Sequence, residues 1–221
     1  MDGSFTVTLF YPAVGPNSFE QLDSPEKVDA FFKKEFPDAL ELMPDLQEEF
    51  FSNPTGELVT VKCAPWHYKD KCVLVGDAAH AVVPFYGQGM NAAFEDCTVL
   101  NNLIKEGAEW GETFEAYSEA RVANGHAIAD LAIDNYIEMR DSVGDEEWCF
   151  RKDIEHTLEK AFPESYISKY EMVSFTRVPY AEAQRLGKLN VEILHALAET
   201  TDDATKPDLE LARKLIEEKL N

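Results

Sequence analysis

The chain has 221 residues, 45% hydrophobic and 11% aromatic, enough to bury a sizeable core in one or two domains. Its 20 basic residues against 42 acidic ones give a net charge of −22, which repels phosphate backbones and anionic lipid surfaces and argues against a nucleic-acid partner. Cys63, Cys72, Cys97 and Cys149 form neither a C-x-x-C pair nor a dense framework, so reduced structural thiols are expected; no spanning apolar run and no signal peptide is visible.

In chain order, the alternation of Ser4 to Tyr11 predicts a strand that ends at Pro12. Ser24-Pro25-Glu26 has the residues of an N-cap and first turn, so a helix is expected to run to about Phe36, with a second helical segment through Phe50 interrupted at Pro44. Leu58 to Cys63 reads as another strand. The run Cys72-Val73-Leu74-Val75 has the character of a buried strand that would deliver Asp77 to a loop. A helix is expected from Met90 to Ile104. After breaks at Gly107 and Gly111, a long one should run from Glu112 to about Arg140. Asp145 to Ala161 and Tyr180 to Ala198 fit two more, and Pro207 to Leu220 reads as a helix exposed on one face or a mobile tail.

The segment with most chemical content is Gly76-Asp77-Ala78-Ala79-His80, followed by Gly87-Gln88-Gly89-Met90-Asn91 and Glu95-Asp96. A carboxylate at a strand end can accept hydrogen bonds from sugar or polyol hydroxyls, and ligands gather at that edge of open α/β sheets. Gly87 and Gly89 allow close backbone approach to a planar or anionic group at the N-terminus of the helix that follows. Each piece alone is more often a turn or loop punctuation. Together, at this spacing, they resemble the second flavin motif of the single-component FAD-dependent aromatic hydroxylases. The Gly-rich G-x-G-x-x-G turn such enzymes use for the pyrophosphate is absent, and two strands separated by helices make too small a sheet for a doubly wound domain. The expectation is the C-terminal portion of a longer enzyme. Metal-ligand spacing and a G-x-S-x-G elbow are also absent, so a zinc or nucleophile enzyme is not expected.

The version His80 to Cys97, with Pro84-Phe85 and Phe94-Glu95-Asp96-Cys97, is similar to the kynurenine 3-monooxygenase family. The likeness extends to His126 to Leu131, to Asn135-Tyr136-Ile137-Glu138-Met139-Arg140, to Ser4 to Phe10 and to Lys169 to Phe175, covering about Phe5 to Arg185. Ala93 in place of a usual glycine, Tyr86 in place of a common phenylalanine, and the tail after Leu189 depart from it. The fold this resemblance implies is α/β: the C-terminal part of a FAD-binding, Rossmann-like aromatic hydroxylase, with part of the substrate-domain sheet and a mostly helical C-terminal region. The expected division is residues 1–63 in the substrate-domain sheet and connecting helices, 64–106 in the FAD-binding domain, 107–200 in a helical substrate-capping region, and 201–221 in an acidic tail or helix.

By the same resemblance, FAD, once reduced by the co-substrate NADPH, would react with O2 to hydroxylate L-kynurenine to 3-hydroxykynurenine, in tryptophan degradation and NAD biosynthesis. The partner would be the N-terminal portion of the same enzyme, holding the arginine for the substrate carboxylate. Eukaryotic relatives imply the cytosolic face of the mitochondrial outer membrane. Expected cofactor-binding residues are Asp77, Pro84, Gly87, Gln88, Gly89, Met90 and Asn91. Expected substrate-binding residues are Thr8, Phe10, Pro84, Phe85, Asn135, Glu138, Met139 and Tyr170. No residue is expected to act as a catalytic acid, base or nucleophile, and His80 reads as a packed group. Alternatives are another FAD-dependent aromatic hydroxylase, which need not keep residues 135–139, or a truncated product without catalysis.

Overall fold

Ser24 accepts a hydrogen bond from the Lys27 N–H at 3.4 Å and Pro25 opens the first turn, so helix α1 (Pro25–Glu35) starts where the sequence predicts. In the computed structural model, which describes residue 3 and residues 5–220, the chain divides into two compact units, Met1–Glu57 and Leu58–Asn221. Met1, Asp2, Ser4 and Asn221, and with them the first residue of the expected N-terminal strand and the last of the acidic tail, lie outside the described residues.

In the first unit, Pro37 begins the short α2 (Pro37–Leu40), and Pro44 falls between it and α3 (Leu46–Ser52). Val28 and Phe32, four apart on α1, bury against Leu22 and Leu46, with Leu9, Tyr11 and Phe31 packed around them. The expected strand over residues 4–11 is not formed among the described residues. Its alternation does turn Leu9 and Tyr11 toward this cluster, while Phe5 and Val7 stay exposed. A strand, however, needs a neighbour for its backbone N–H and C=O groups, and no described segment pairs with it.

The second unit is mostly helical. Residues 58–63 also form no strand, although the Val61 N–H donates to the Ala81 carbonyl at 2.8 Å. Among the described residues the sheet consists of β1 (His67–Tyr68) and β2 (Cys72–Val73), an antiparallel ribbon with His67 opposite Val73 and Tyr68 opposite Cys72. The expected part of a substrate-domain sheet is therefore corrected to helix and extended chain, for the same lack of pairing partners. β2 stops at Val73, and Asp77 opens a short helix, α4 (Asp77–His80), instead of ending a strand.

Then follow α5 (Gly89–Glu106), the 28-residue α6 (Trp110–Ile137) and a wide π-type turn over Glu138–Ser142. Beyond it come α7 (Glu146–Ala161), capped by the Asp145 side chain, then α8 (Lys169–Phe175), α9 (Tyr180–Ala198) and α10 (Leu209–Lys219). The last segment is a docked helix, with Ala212 and Ile216 buried against Ile154, Leu158, Ile193 and Leu197. Among the described residues no helix is long and apolar enough to cross a membrane.

Helix α6 is the axis on which α5 and α9 pack. Tyr117, Arg121, Gly125, Ile128 and Ala132 repeat at helical spacing and are all buried, so one face runs under both neighbours. Gly125 sits on that face because a Cβ there would lie 2.5 Å from the buried Trp66 indole. The glycine lets the ring fit between α6 and His80, its centroid 5.0 Å from that of the imidazole and its plane tilted by 30°.

Candidate functional site

The turn between β2 and α4 is fixed by one carboxylate. Asp96, fully buried on α5, accepts from the Gly76 N–H at 3.1 Å and from Arg121 Nε at 2.7 Å, and its Oδ2 lies 2.5 Å from His80 Nε2. Burial pushes this carboxyl group up, but the hydrogen bonds from His80, Arg121 and Gly76 outweigh it and hold Asp96 below the usual carboxylate range. Arg121 also reaches Glu95 at 2.8 Å, so α5 and α6 are joined to the turn by a buried network in which His80 Nδ1 is left without a partner among the described residues. Gly76 has φ +62°, and a Cβ there would be 3.2 Å from the Ala93 Cβ, so this approach of the turn to α5 needs glycine.

The second glycine-bearing loop begins with a 3-10 turn, Pro84–Tyr86, and passes through Gly87 in the left-handed conformation (φ +66°) into α5. Gln88 is buried, and its Oε1 accepts from Asn91 Nδ2 at 2.9 Å and from the Tyr180 hydroxyl at 3.2 Å. Burial, with Glu95 second, pushes the Tyr180 phenol up to about 12, so it remains a donor. Asp77, Pro84, Gly87, Met90 and Asn91 are exposed, and Gly89 is half-buried. The Gln88 side chain points into the protein, which leaves only its backbone for a ligand. Met90 and Phe94, four apart and exposed, continue the open face along α5.

Beside this loop lies a cleft of about 440 Å³. Tyr86, Asn135, Glu138, Met139, Lys169 and Tyr170 line one part of it, and Trp148, Lys152 and Glu155 of α7 another. Asn135 Nδ2 donates to the Phe85 carbonyl at 2.9 Å, tying the end of α6 to the loop. Tyr86 and Tyr170 stack with centroids 5.8 Å apart, and Lys169 forms an ion pair with Glu138. The Tyr86 hydroxyl is buried without a hydrogen-bond partner among the described residues, and burial, then Glu138, raises its pKa. Phe85 turns its ring to Tyr136, 4.6 Å away, and neither it nor Pro84 is in the cleft lining. Four expected substrate residues, Asn135, Glu138, Met139 and Tyr170, thus meet in one cleft, whereas Thr8 and Phe10 belong to the N-terminal unit.

Sequence reasoning missed Arg121, Lys169 and the α7 wall. Arg121 had a signal, since it falls in phase with the apolar positions of α6. Lys169 had none, because its partner Glu138 is 31 residues away in sequence.

A family model described as an FAD binding domain matches residues 58–132, the stretch from the extended segment before β1 to most of α6. Over 100% of the chain, the sequence is 52% identical to a kynurenine 3-monooxygenase of Dictyostelium discoideum, covering 51% of that protein. This chain resembles the kynurenine 3-monooxygenases. The relative from Myxococcus xanthus is 51% identical over 99% of the chain and 47% of its own length, and one from Legionella pneumophila (strain Corby) is 42% identical over 97% and 48%. The chain therefore spans about half the length of the curated relatives it matches.

The residues present fit a flavin. Asp77 offers an exposed carboxylate, a Cβ at Gly87 would meet nothing within 4 Å, and α5 is an 18-residue helix whose first turn follows that open loop. Among the described residues no group of three or more His, Cys, Asp or Glu side chains is placed to hold a metal ion.

Proposed function

We propose that this chain supplies the second flavin motif and the substrate cleft of an FAD- and NADPH-dependent monooxygenase that hydroxylates L-kynurenine to 3-hydroxykynurenine. The observation that carries this reading is the 2.9 Å bond from Asn135 to the Phe85 carbonyl, which couples the glycine loop to the cleft holding Glu138, Met139 and Tyr170. The likeness to kynurenine 3-monooxygenases over nearly the whole chain supports it.

Bound flavin, reduced by NADPH, supplies the activated oxygen; the chain's own residues bind, orient and exclude water. Asp77 accepts from the ribityl hydroxyls. The backbone from Gly87 to Asn91, with the positive end of α5, would face the flavin ring system and would stabilise negative charge on it. Pro84 and Phe85 would wall the substrate ring on the side where it meets the flavin. In the cleft, Asn135 and Glu138 receive polar groups of the substrate, Met139 lies beside its ring and Tyr170 donates to its carboxylate. The pyrophosphate site and the arginine for the carboxylate fall to a further portion of the enzyme, and the domain division given above is part of the same reading. A place on the cytosolic face of the mitochondrial outer membrane enters only through the eukaryotic resemblance.

The test compares this chain with a version extended at its N-terminus by the upstream coding sequence, for bound-flavin absorbance and kynurenine-stimulated NADPH oxidation. The expected result is a yellow extended protein that makes 3-hydroxykynurenine. An extended protein that binds FAD but ignores kynurenine would reject the substrate and leave another aromatic hydroxylase.

A further inference from the structure

Glu138 and Lys169 come from different elements, the π-type turn after α6 and the first position of α8, and their ion pair bridges the cleft wall. Both side chains are partly shielded, at 27% and 17% exposure, and both line the cavity. A lysine at the start of a helix gains nothing from the helix dipole, whose positive end lies there. Its place is explained by the carboxylate it meets.

The route to that carboxylate is built by α9. A Cβ on Gly187 would stand 2.8 Å from Lys169 Cγ and 2.9 Å from its Cδ, so the lysine stem crosses α9 only where there is bare backbone. Asn190, on the same helix, donates to the Ile167 carbonyl at 2.8 Å and pins the chain just before α8. Ser168 caps α8 by accepting from the Glu171 N–H at 3.3 Å. The lysine is thus seated by its stem and by the backbone that precedes it.

We infer that Lys169 is a positioning residue that sets the cleft's preference for ligands carrying an amine. It holds one carboxylate oxygen of Glu138, Oε1, in the wall; Oε2 makes no hydrogen bond among the described residues and is left to accept from a ligand N–H. Without the lysine, Glu138 loses the ion pair that holds its carboxylate in the wall, and Oε2 is no longer presented in one place. The inference rests on the proposed kynurenine cleft.

The experiment uses the FAD-loaded protein, extended as above, and measures dissociation constants by calorimetry for L-kynurenine and for its analogues lacking the ring amine or the α-amine. Lys169→Met is expected to weaken L-kynurenine about tenfold and to leave one of the amine-free analogues unchanged, so that the preference for that amine collapses. Lys169→Arg should keep most of the preference, and Gly187→Ala should lose part of it by displacing the stem. Equal losses for all three ligands in Lys169→Met, or no loss for any, would overturn the inference while leaving the kynurenine reading intact. Failure of the unsubstituted, flavin-loaded protein to bind L-kynurenine would instead reject the reading on which it rests.

Discussion

Two sets of charged groups flank α6, and they are built for opposite purposes. Around Asp96 the carboxylate is closed: Asp96, His80 and Arg121 are 0%, 1% and 4% exposed, and both carboxylate oxygens have partners, although His80 Nδ1 is buried without one among the described residues. Around Glu138 the wall is open, with a largely shielded lysine on one oxygen and a 440 Å³ cleft in front. The closed set fixes backbone, holding the Gly76 turn and α5 in register. The open one leaves hydrogen-bonding capacity for a ligand. Polar groups near a site are therefore not equivalent evidence for function, and whether both oxygens of the carboxylate at the centre are partnered tells these two sets apart.

Removing one member of the closed set should have the largest effect. Arg121→Met leaves Asp96 and Glu95 without their guanidinium, and the cost expected from a broken buried pair is about 3–5 kcal/mol, read from urea denaturation. A loss below about 1 kcal/mol would show that the network is looser than the 2.7 Å contact implies. Gly125→Ala comes next. Its Cβ would stand 2.5 Å from the Trp66 ring and 3.3 Å from the His80 Cβ, so overpacking of about 1–3 kcal/mol is expected in the same measurement.

A smaller effect follows from pH. The Asp96 pKa is lower in the folded chain than in the unfolded one, so the unfolded state binds the proton more readily as the medium is acidified. The stabilisation is present in full above the ordinary carboxylate value and is lost as pH falls through the lowered one. Asp96→Asn should be less stable at neutral pH yet lose less further stability below about pH 4 than the parent. Parallel profiles for the two proteins would remove Asp96 from the acid response.

Much of the helical frame was legible in the sequence because its signals are local. Ser24 and Asp145 accept from the N–H three residues on, and Gly107 ends α5 in the left-handed conformation. Strands were legible only as composition. Residues 5–11 and 58–63 have the right pattern, but a ladder depends on a partner that composition does not reveal, and these described segments form none. α8 escaped because a seven-residue helix has too little periodicity to announce itself, although its Ser168 cap is an ordinary one. In the site, the spacing of Asn135 and Glu138 predicts one helix face; α6 ends at Ile137 and Glu138 opens the π-type turn, yet the cleft contains both. The Gln88 side chain turned inward because Tyr180, 92 residues away in sequence, supplies a donor that no local pattern foreshadows.

The measurement that tests the account most directly is bound-flavin occupancy and L-kynurenine affinity recorded together on Asp77→Ala and Asn135→Ala, each in the N-terminally extended protein. The account predicts that Asp77→Ala lowers flavin occupancy, whereas Asn135→Ala keeps full occupancy and weakens kynurenine about tenfold. Unchanged kynurenine affinity in Asn135→Ala, or full flavin occupancy in Asp77→Ala, would contradict the division between a flavin-facing loop and a substrate cleft.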